Sequence, residues 1–351
     1  MKTKWIGLAV LLLVIAGAGL YAAVGRPAET VEITGFVGGE KIGLLEDEQV
    51  TERMEEKYGL KMDYARAGSL DMITADHSGR NYLFPSSQTA LELYENLYGR
   101  PVKSEIVLNT PIVLYTRRAV ADALTEQGIV SEEDGVLYGD MEKLTQCLED
   151  GTTWEELGLP QLYGSFSVGT TDPNKSNSGN MFAGLLANIL CGGVADESNI
   201  DEALPRLRSI FQKLGYMETS SSDLFDQFLK TGMGAKPLIA GYENQLLEFA
   251  VQNPSDWEQV KDDIVMIYPN PSVWSAHVFI ALDEAGAKGI DALMDEGGQQ
   301  LAWDRHGFRT GVYGTAMDTE KFGVDGVARE ITRIAPMPDV NTMMKIMEAL
   351  K

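Results

Sequence analysis

Short apolar runs of strand length alternate with longer amphipathic stretches along nearly the whole chain, the pattern of an α/β fold built on parallel sheets. Residues 31–37 read as a strand ended by Gly38-Gly39, and 42–58 as a helix stopped by Gly59. Residues 60–67 are a second strand running into Gly68-Ser69. Residues 82–84 are a short third strand before Pro85-Ser86-Ser87, and 88–98 a helix closing on Gly99. Residues 105–116 form a long apolar run with Pro111 in its middle, where a strand bends or changes sheet. Further on, 140–149 read as a helix, 165–170 as a strand, 178–191 as an apolar helix, and 203–214 and 222–229 as amphipathic helices. Strands at 237–240, 264–268 and 278–282 and helices at 242–251, 287–306 and 341–350 complete the pattern. The acidic runs 46–48 and 132–134 read as solvated surface.

Proline marks two crossings, at Pro111 and again at Pro269 to Trp274. They predict a chain that leaves one lobe and returns to it. The expected fold class is α/β, with two Rossmann-like lobes joined by two hinge strands. Lobe I takes residues 31–112 and 275–351, and lobe II takes 113–274. A chain of 351 residues is long enough to need more than one core. In open α/β sheets the ligand sits beyond the carboxyl ends of the strands, so the loops between the predicted elements become the candidate site.

Residues 1–26 set the compartment. Lys2 and Lys4 precede an uncharged run from residue 5 to 24, as in an export signal. Ala16-Gly17-Ala18 offers a cleavage site, yet the run continues to a membrane-spanning length of ~20 residues. A cleaved signal peptide and a retained N-terminal anchor helix are both open. Either way the remainder is extracytoplasmic, at the cell surface or in the periplasm. The first cysteine is Cys147, which excludes a lipid-modified N-terminal cysteine; Cys147 and Cys191 are compatible with a disulfide or with two separate thiols.

Lys and Arg number 29 against 52 Asp and Glu, a formal net charge of −23 that argues against nucleic acid and anionic lipid as partners. No HExxH or GxSxG motif is present, and the calcium-loop and phosphate-loop patterns fail at Asn177 and Glu40. No cofactor, metal site or catalytic residue is expected, and the chain does not read as an enzyme.

The richest candidate segment is Thr170 to Asn180, TTDPNKSNSGN, which leaves a strand and opens a helix. A helix start dense in hydroxyls and amides suits an anion or a polyol. Its candidate ligand contacts are Thr171, Asp172, Ser176, Asn177, Ser178, Gly179 and Asn180. Glu40 and Lys41 follow the first strand. Ser69 and Asp71 follow the second, and Ser86 and Ser87 the third. Tyr242, Glu243 and Asn244 follow the strand at 237–240, and Trp274 stands beside the second crossing. Each of these is also a residue type that caps helices or fills cores.

With GGEKIGLLEDE, AGSLDM, FPSS, NTPIVLY, TTDPNKSNSGNMFAGLLAN, GYENQL and AWDRHGFR in this order, the chain resembles the bacterial extracellular solute-binding proteins of the type II periplasmic-binding fold. The resemblance spans roughly Val31 to Gly311 by order of elements. Relatives that bind molybdate or sulfate surround an oxyanion with hydroxyls and helix starts. The resemblance places Ser69, Ser86 or Ser87, the stretch Ser176 to Asn180, and Tyr242 in that role. It also implies a small polar solute as ligand and an ABC permease and ATPase as partners. Glu40, Asp71, Asp172 and Glu243 weigh against a dianion and leave neutral, zwitterionic or cationic solutes open. The missing lipid-anchor cysteine leaves a second function open: a membrane-tethered sensory or scaffold module without a transporter.

Overall fold

The computed structural model describes residues 30–311 and 317–351; the expected signal or anchor at residues 1–26 lies outside them. Among the described residues, no helix is long and apolar enough to cross a membrane.

Ten strands form one connected sheet with the order β2-β1-β3-β9-β4-β8-β6-β5, and β7 and β10 also pair with β4. β1 (Val31–Val37) lies parallel to β2 (Leu60–Arg66) and β3 (Tyr82–Phe84). β4 (Lys103–Arg117) is shared between two halves. Its residues 103–111 pair antiparallel with β9 (Trp274–Ala281), and 108–109 with β10 (Arg309–Thr310). From Ile112 on, β4 pairs instead with β7 (Leu238–Tyr242) and β8 (Ile264–Asn270). The exchange of partners falls at Pro111. Proline has no N–H to give to the ladder, so a change of pairing there costs little. β8 continues into β9 through Pro271, the second crossing. The sheet is therefore mixed: β2, β1 and β3 are parallel in the first half and β6 with β8 in the second, while the crossing strands and the β5–β6 edge are antiparallel.

Both faces of the crossing strands are buried, which explains why their sequence is apolar without alternation. On β4, Ile112 and Leu114 enter one core of the second lobe with Phe182, Leu185 and Ile267. Val113 and Tyr115 enter the other, with Phe228, Leu246 and Trp257. On β9, Phe279 packs with Ile33, Phe84 and Phe308, and Ile280 with Ile73 and Leu83 on the opposite face.

Several expected elements differ in detail. The single helix expected at 42–58 is two, Ile42–Glu46 and Glu48–Tyr58. Asp47 between them is extended and accepts a hydrogen bond from the Gln49 N–H. The helix expected at 287–306 also splits, into Glu284–Leu293 and Glu296–His306, with Asp295 capping the second through the Gly298 N–H. Residues 165–170 make only isolated bridges at Ser165 and Gly169 and form no ladder strand. The acidic run at 132–134 belongs to an antiparallel hairpin, β5 (Val130–Glu133) with β6 (Val136–Asp140). Its turn takes Asp134 and Gly135 to φ 51° and 79°, the left-handed conformation that Gly and Asp tolerate best. Helices Arg118–Glu126 and Pro254–Val260 were not expected. The last helix, Val340–Ala349, packs on Gln88–Tyr98 and also on Asn177–Leu190 and Ile200–Gln212. Cys147 and Cys191 are free thiols, both partly buried.

Candidate functional site

The loops after β1, β2 and β3 face the starts of two second-lobe helices, Asn177–Leu190 and Ser221–Lys230, across a cleft with a deep end and an open end. At the deep end Lys41 is completely buried. Its Nζ donates to Glu40 Oε1 at 2.5 Å, to Ser86 Oγ at 2.7 Å and to His277 Nδ1 at 3.2 Å, and lies 4.9 Å from the centre of the Phe84 ring. The Ser86 hydroxyl donates in turn to Glu40. Burial alone would raise the Glu40 pKa, but the Lys41 charge and the hydrogen bonds from Lys41 and Ser86 hold it at about 2. Burial pushes the Lys41 pKa down against the pull of Glu40. Burial, reinforced by the Lys41 charge, pushes His277 well below its ordinary range, so its ring is neutral and accepts through Nδ1. Glu40 and Lys41 thus form a closed ion pair.

The same end ties the two halves of the sheet together. Asn177 Nδ2 donates to the Ser86 carbonyl at 2.8 Å and to the Tyr242 hydroxyl at 3.0 Å, and Ser275 Oγ donates to the same carbonyl at 2.8 Å. Thr171 organises the helix start. Its Oγ1 accepts from the Gly179 N–H at 2.8 Å and lies 2.8 Å from Ser178 Oγ, whereas Ser176 at the N-cap makes no cap bond.

The open end is a cleft of about 310 Å³. Gly38, Gly39, Arg66, Gly68, Ser69 and Asp71 form its first wall, and Lys175 to Asn177 and Thr219 to Ser221 the second. The Arg66 guanidinium reaches across to the Ser220 hydroxyl. Gly68 lies against the Lys175 carbonyl so closely that a Cβ on it would sit 2.7 Å from that oxygen. The first turn of Asn177–Leu190 is capped at Gly179 by Thr171, whereas the helix Ser221–Lys230 carries no side-chain cap and leaves first-turn N–H groups free at the cleft wall. Of the charges on the walls, Glu40 is matched by Lys41, which leaves Arg66 and Lys175 against Asp71. A recess of about 10 Å³ shares Gly68, Ser69, Asp71 and Lys175 to Asn177 with the cleft and is lined in addition by Asn180 and Met347. A larger groove of about 440 Å³ lies elsewhere, between β6, β8 and the stretch Asp325 to Val327, within one lobe.

The candidate residues therefore divide. Glu40, Ser69, Asp71, Ser176 and Asn177 line the cleft, and Asn180 the recess. Lys41, Ser86, Thr171, Ser178, Gly179 and Tyr242 are buried at or behind the deep end. Ser87 is buried at the N-cap of Gln88–Tyr98. Asp172 lies in the turn and accepts from the Asn174 N–H at 2.8 Å. Glu243 is fully buried away from the cleft, gripped by Arg309 through two bonds of 2.7 Å and by the Tyr268 hydroxyl at 2.5 Å. Asn244 is buried behind it, and Trp274 pairs with Pro111 at the crossing. Four of the residues that shape the site were not singled out from sequence: Arg66, Lys175, Ser220 and His277. Arg66 ends the strand before Ser69, Lys175 lies inside the helix-start loop Thr170 to Asn180, and Ser220 leads a run of three serines that opens a helix. These signals were present. His277 gave none, since its partners are Lys41 and Glu40 from the opposite end of the chain.

No family profile matches the chain, and no curated protein matches it in sequence. Solved structures do match in shape. The sulfate-binding protein SubI from Mycobacterium tuberculosis superposes with a TM-score of 0.56 at 13% identity, covering 90% of this chain and 96% of that one. The periplasmic binding protein AfuA from Actinobacillus pleuropneumoniae, with fructose-6-phosphate bound, gives 0.54 at 15% identity over 91% and 96%. The apo ferric ion-binding protein A of Pasteurella haemolytica gives 0.54 at 13% identity over 92% and 96%. The chain has the fold of the periplasmic and extracellular solute-binding proteins.

Proposed function

We propose that the chain is an extracytoplasmic receptor whose lobes close on a small anionic solute at the open end of the cleft. One observation carries this reading. In a chain of net charge −23, the cleft between the lobes gathers two cations with no acidic partner, Arg66 and Lys175, and the uncapped start of the helix Ser221–Lys230. Against the overall acidity, such a local excess of positive potential selects an anion. In the sequence the carboxylates argue otherwise, but Glu40 and Glu243 are neutralised by Lys41 and Arg309, and Asp172 stabilises a turn. Asp71 remains, on the side of the recess. The relatives in fold are named for sulfate or ferric ion, or hold a sugar phosphate, and support a binding role over catalysis.

Closure is a hinge motion at Pro111 and at Pro271, and a ligand biases it only by preferring the closed form. Delivery to an ABC-type permease and ATPase, with residues 1–26 holding the receptor at the membrane or removed on export, completes the proposal. A thermal-shift screen against oxyanions, organic anions, sugars, amino acids, polyamines and metals tests it. An anion at 100 times its dissociation constant raises stability by about 2.7 kcal/mol. Silence to every anion, or a response only to cations, refutes it.

A further inference from the structure

We infer, resting on the receptor reading, that the solute is a hydroxylated organic anion: a polyol bearing one phosphate or carboxylate rather than a bare oxyanion. Its charged end lies on Arg66, Lys175 and the start of the helix Ser221–Lys230, and one of its hydroxyls fills the recess between Asp71 and Asn180.

Size is the first reason. The open end holds about 310 Å³, the lower end of the range for organic ligands at roughly 300–1,000 Å³. A tetrahedral oxyanion fills the space of a few water molecules, at roughly 30 Å³ each, and would meet only one wall at a time.

The recess is the second reason. Asn180 is 2% exposed, and both its amide nitrogen and its amide oxygen lack a partner. Buried polar groups are normally bonded, so this pair awaits something that donates and accepts at once. A hydroxyl does both; an ionised phosphate oxygen only accepts, and an ammonium only donates. The Asp71 carboxylate beside it accepts the hydroxyl proton and repels a second anionic group. At about 10 Å³ the recess admits one hydroxyl-sized group.

The third reason is the separation of the two chemistries. Arg66 and the stretch Thr219 to Ser221 line the broad cleft and not the recess, whereas Asn180 and Met347 line the recess and not the broad cleft. Asp71 and Lys175 stand at the junction. A solute charged at one end and hydroxylated at the other satisfies both regions, and a symmetric anion satisfies one.

Titration calorimetry of the full chain with glucose 6-phosphate, glycerol 3-phosphate and gluconate tests the assignment, with glucose, inorganic phosphate and sulfate as references. The expected result is binding of at least one polyol anion 100-fold or more above inorganic phosphate and sulfate, with glucose below detection. Phosphate against carboxylate as the charged group is then read from which polyol anion wins. Asn180→Ala and Asn180→Asp, which keeps the shape and loses the donor, each weaken that binding ten-fold or more. Asn180→Ala leaves the unfolding midpoint of the free protein close to that of the native chain, whereas Asn180→Asp lowers it at neutral pH by burying a carboxylate. Sulfate or inorganic phosphate within ten-fold of the best polyol anion overturns the inference and leaves the anion receptor standing. Glucose binding as well as its phosphate also overturns it. Binding unchanged in both Asn180 variants overturns the recess assignment, with water as its occupant. Failure of every anion removes the receptor reading itself.

Discussion

Gly68→Ala is a wedge between the lobes. Gly68 belongs to the loop after β2 in the first lobe, and its Cβ would stand 2.7 Å from the Lys175 carbonyl oxygen of the second. Non-bonded heavy atoms settle near about 3.5 Å, so closing on the added methyl forces the walls apart by most of an ångström. Both atoms are fixed to the backbone, and no side-chain rotation relieves the contact. Overpacking of this kind costs about 1–3 kcal/mol. On the proposed hinge closure the cost falls on the closed form alone, because opening the cleft separates these two walls. The closed-to-open ratio and the apparent affinity for solute therefore fall by about 5- to 150-fold. Calorimetry with the polyol anion that binds the native chain measures the loss, and urea denaturation of the free protein shows how much belongs to the fold. Gly193→Ala is the control, since a Cβ there meets nothing within 4 Å. An unchanged affinity in Gly68→Ala would refute the reasoning, because the solute would then bind without bringing these walls together.

Three further outcomes are expected. Glu40→Gln leaves the Lys41 ammonium buried without its counter-charge and lowers stability by roughly 3–5 kcal/mol, most of which Lys41→Met restores in the double variant. Because the Glu40 carboxyl is held at about 2 in the folded chain against an ordinary 4.5, this stabilisation is complete above pH 4.5 and is lost as pH falls toward 2. Urea denaturation should therefore show the gap between native and Glu40→Gln closing over that window. Thr171→Ala removes the acceptor for the Gly179 N–H and costs about 1–2 kcal/mol, with Thr171→Ser recovering it; equal unfolding midpoints for all three would deny Thr171 its capping role. Glu243→Ala strands the buried Arg309 and costs roughly 3–5 kcal/mol while leaving solute affinity unchanged in calorimetry. A selective loss of affinity there would return Glu243 to the binding site.

What the sequence showed of the fold was what local chemistry encodes. Strands buried on both faces announce themselves as apolar runs, and Pro111 marked the crossing because a prolyl ring cannot serve a continuous ladder. The breaks at Asp47 and Asp295 were hidden because distant residues hold them. Arg305 and His306 reach Asp47, and Arg53 and Lys57 reach Asp295. The hairpin at β5 and β6 was missed for the opposite reason. Its Asp-Gly turn was in plain view, but the exposed glutamates beside it read as surface. The site followed the same division. Strand-end loops could be located from the order of elements, and Ser69, Asp71 and Asn177, named from them, line the cleft. The balance of charge could not, because it depends on which acid meets which base. Glu243 and Arg309 stand 66 residues apart, and the pair that takes Glu243 out of the site exists only in the fold.

Ligand-driven closure is the centre of the proposed function, and the distance between the lobes reports it. Spin labels at Glu56→Cys, exposed on the first-lobe helix Glu48–Tyr58, and Glu202→Cys, exposed on the second-lobe helix Ile200–Gln212, span the cleft. Cys147 and Cys191 are replaced by Ser to leave the labels unique. Titration with the best-binding polyol anion should narrow the distribution and shorten its mean, saturating at the calorimetric dissociation constant, with the response suppressed by Gly68→Ala. A distribution that stays the same at saturating solute would contradict a receptor that works by closing its lobes.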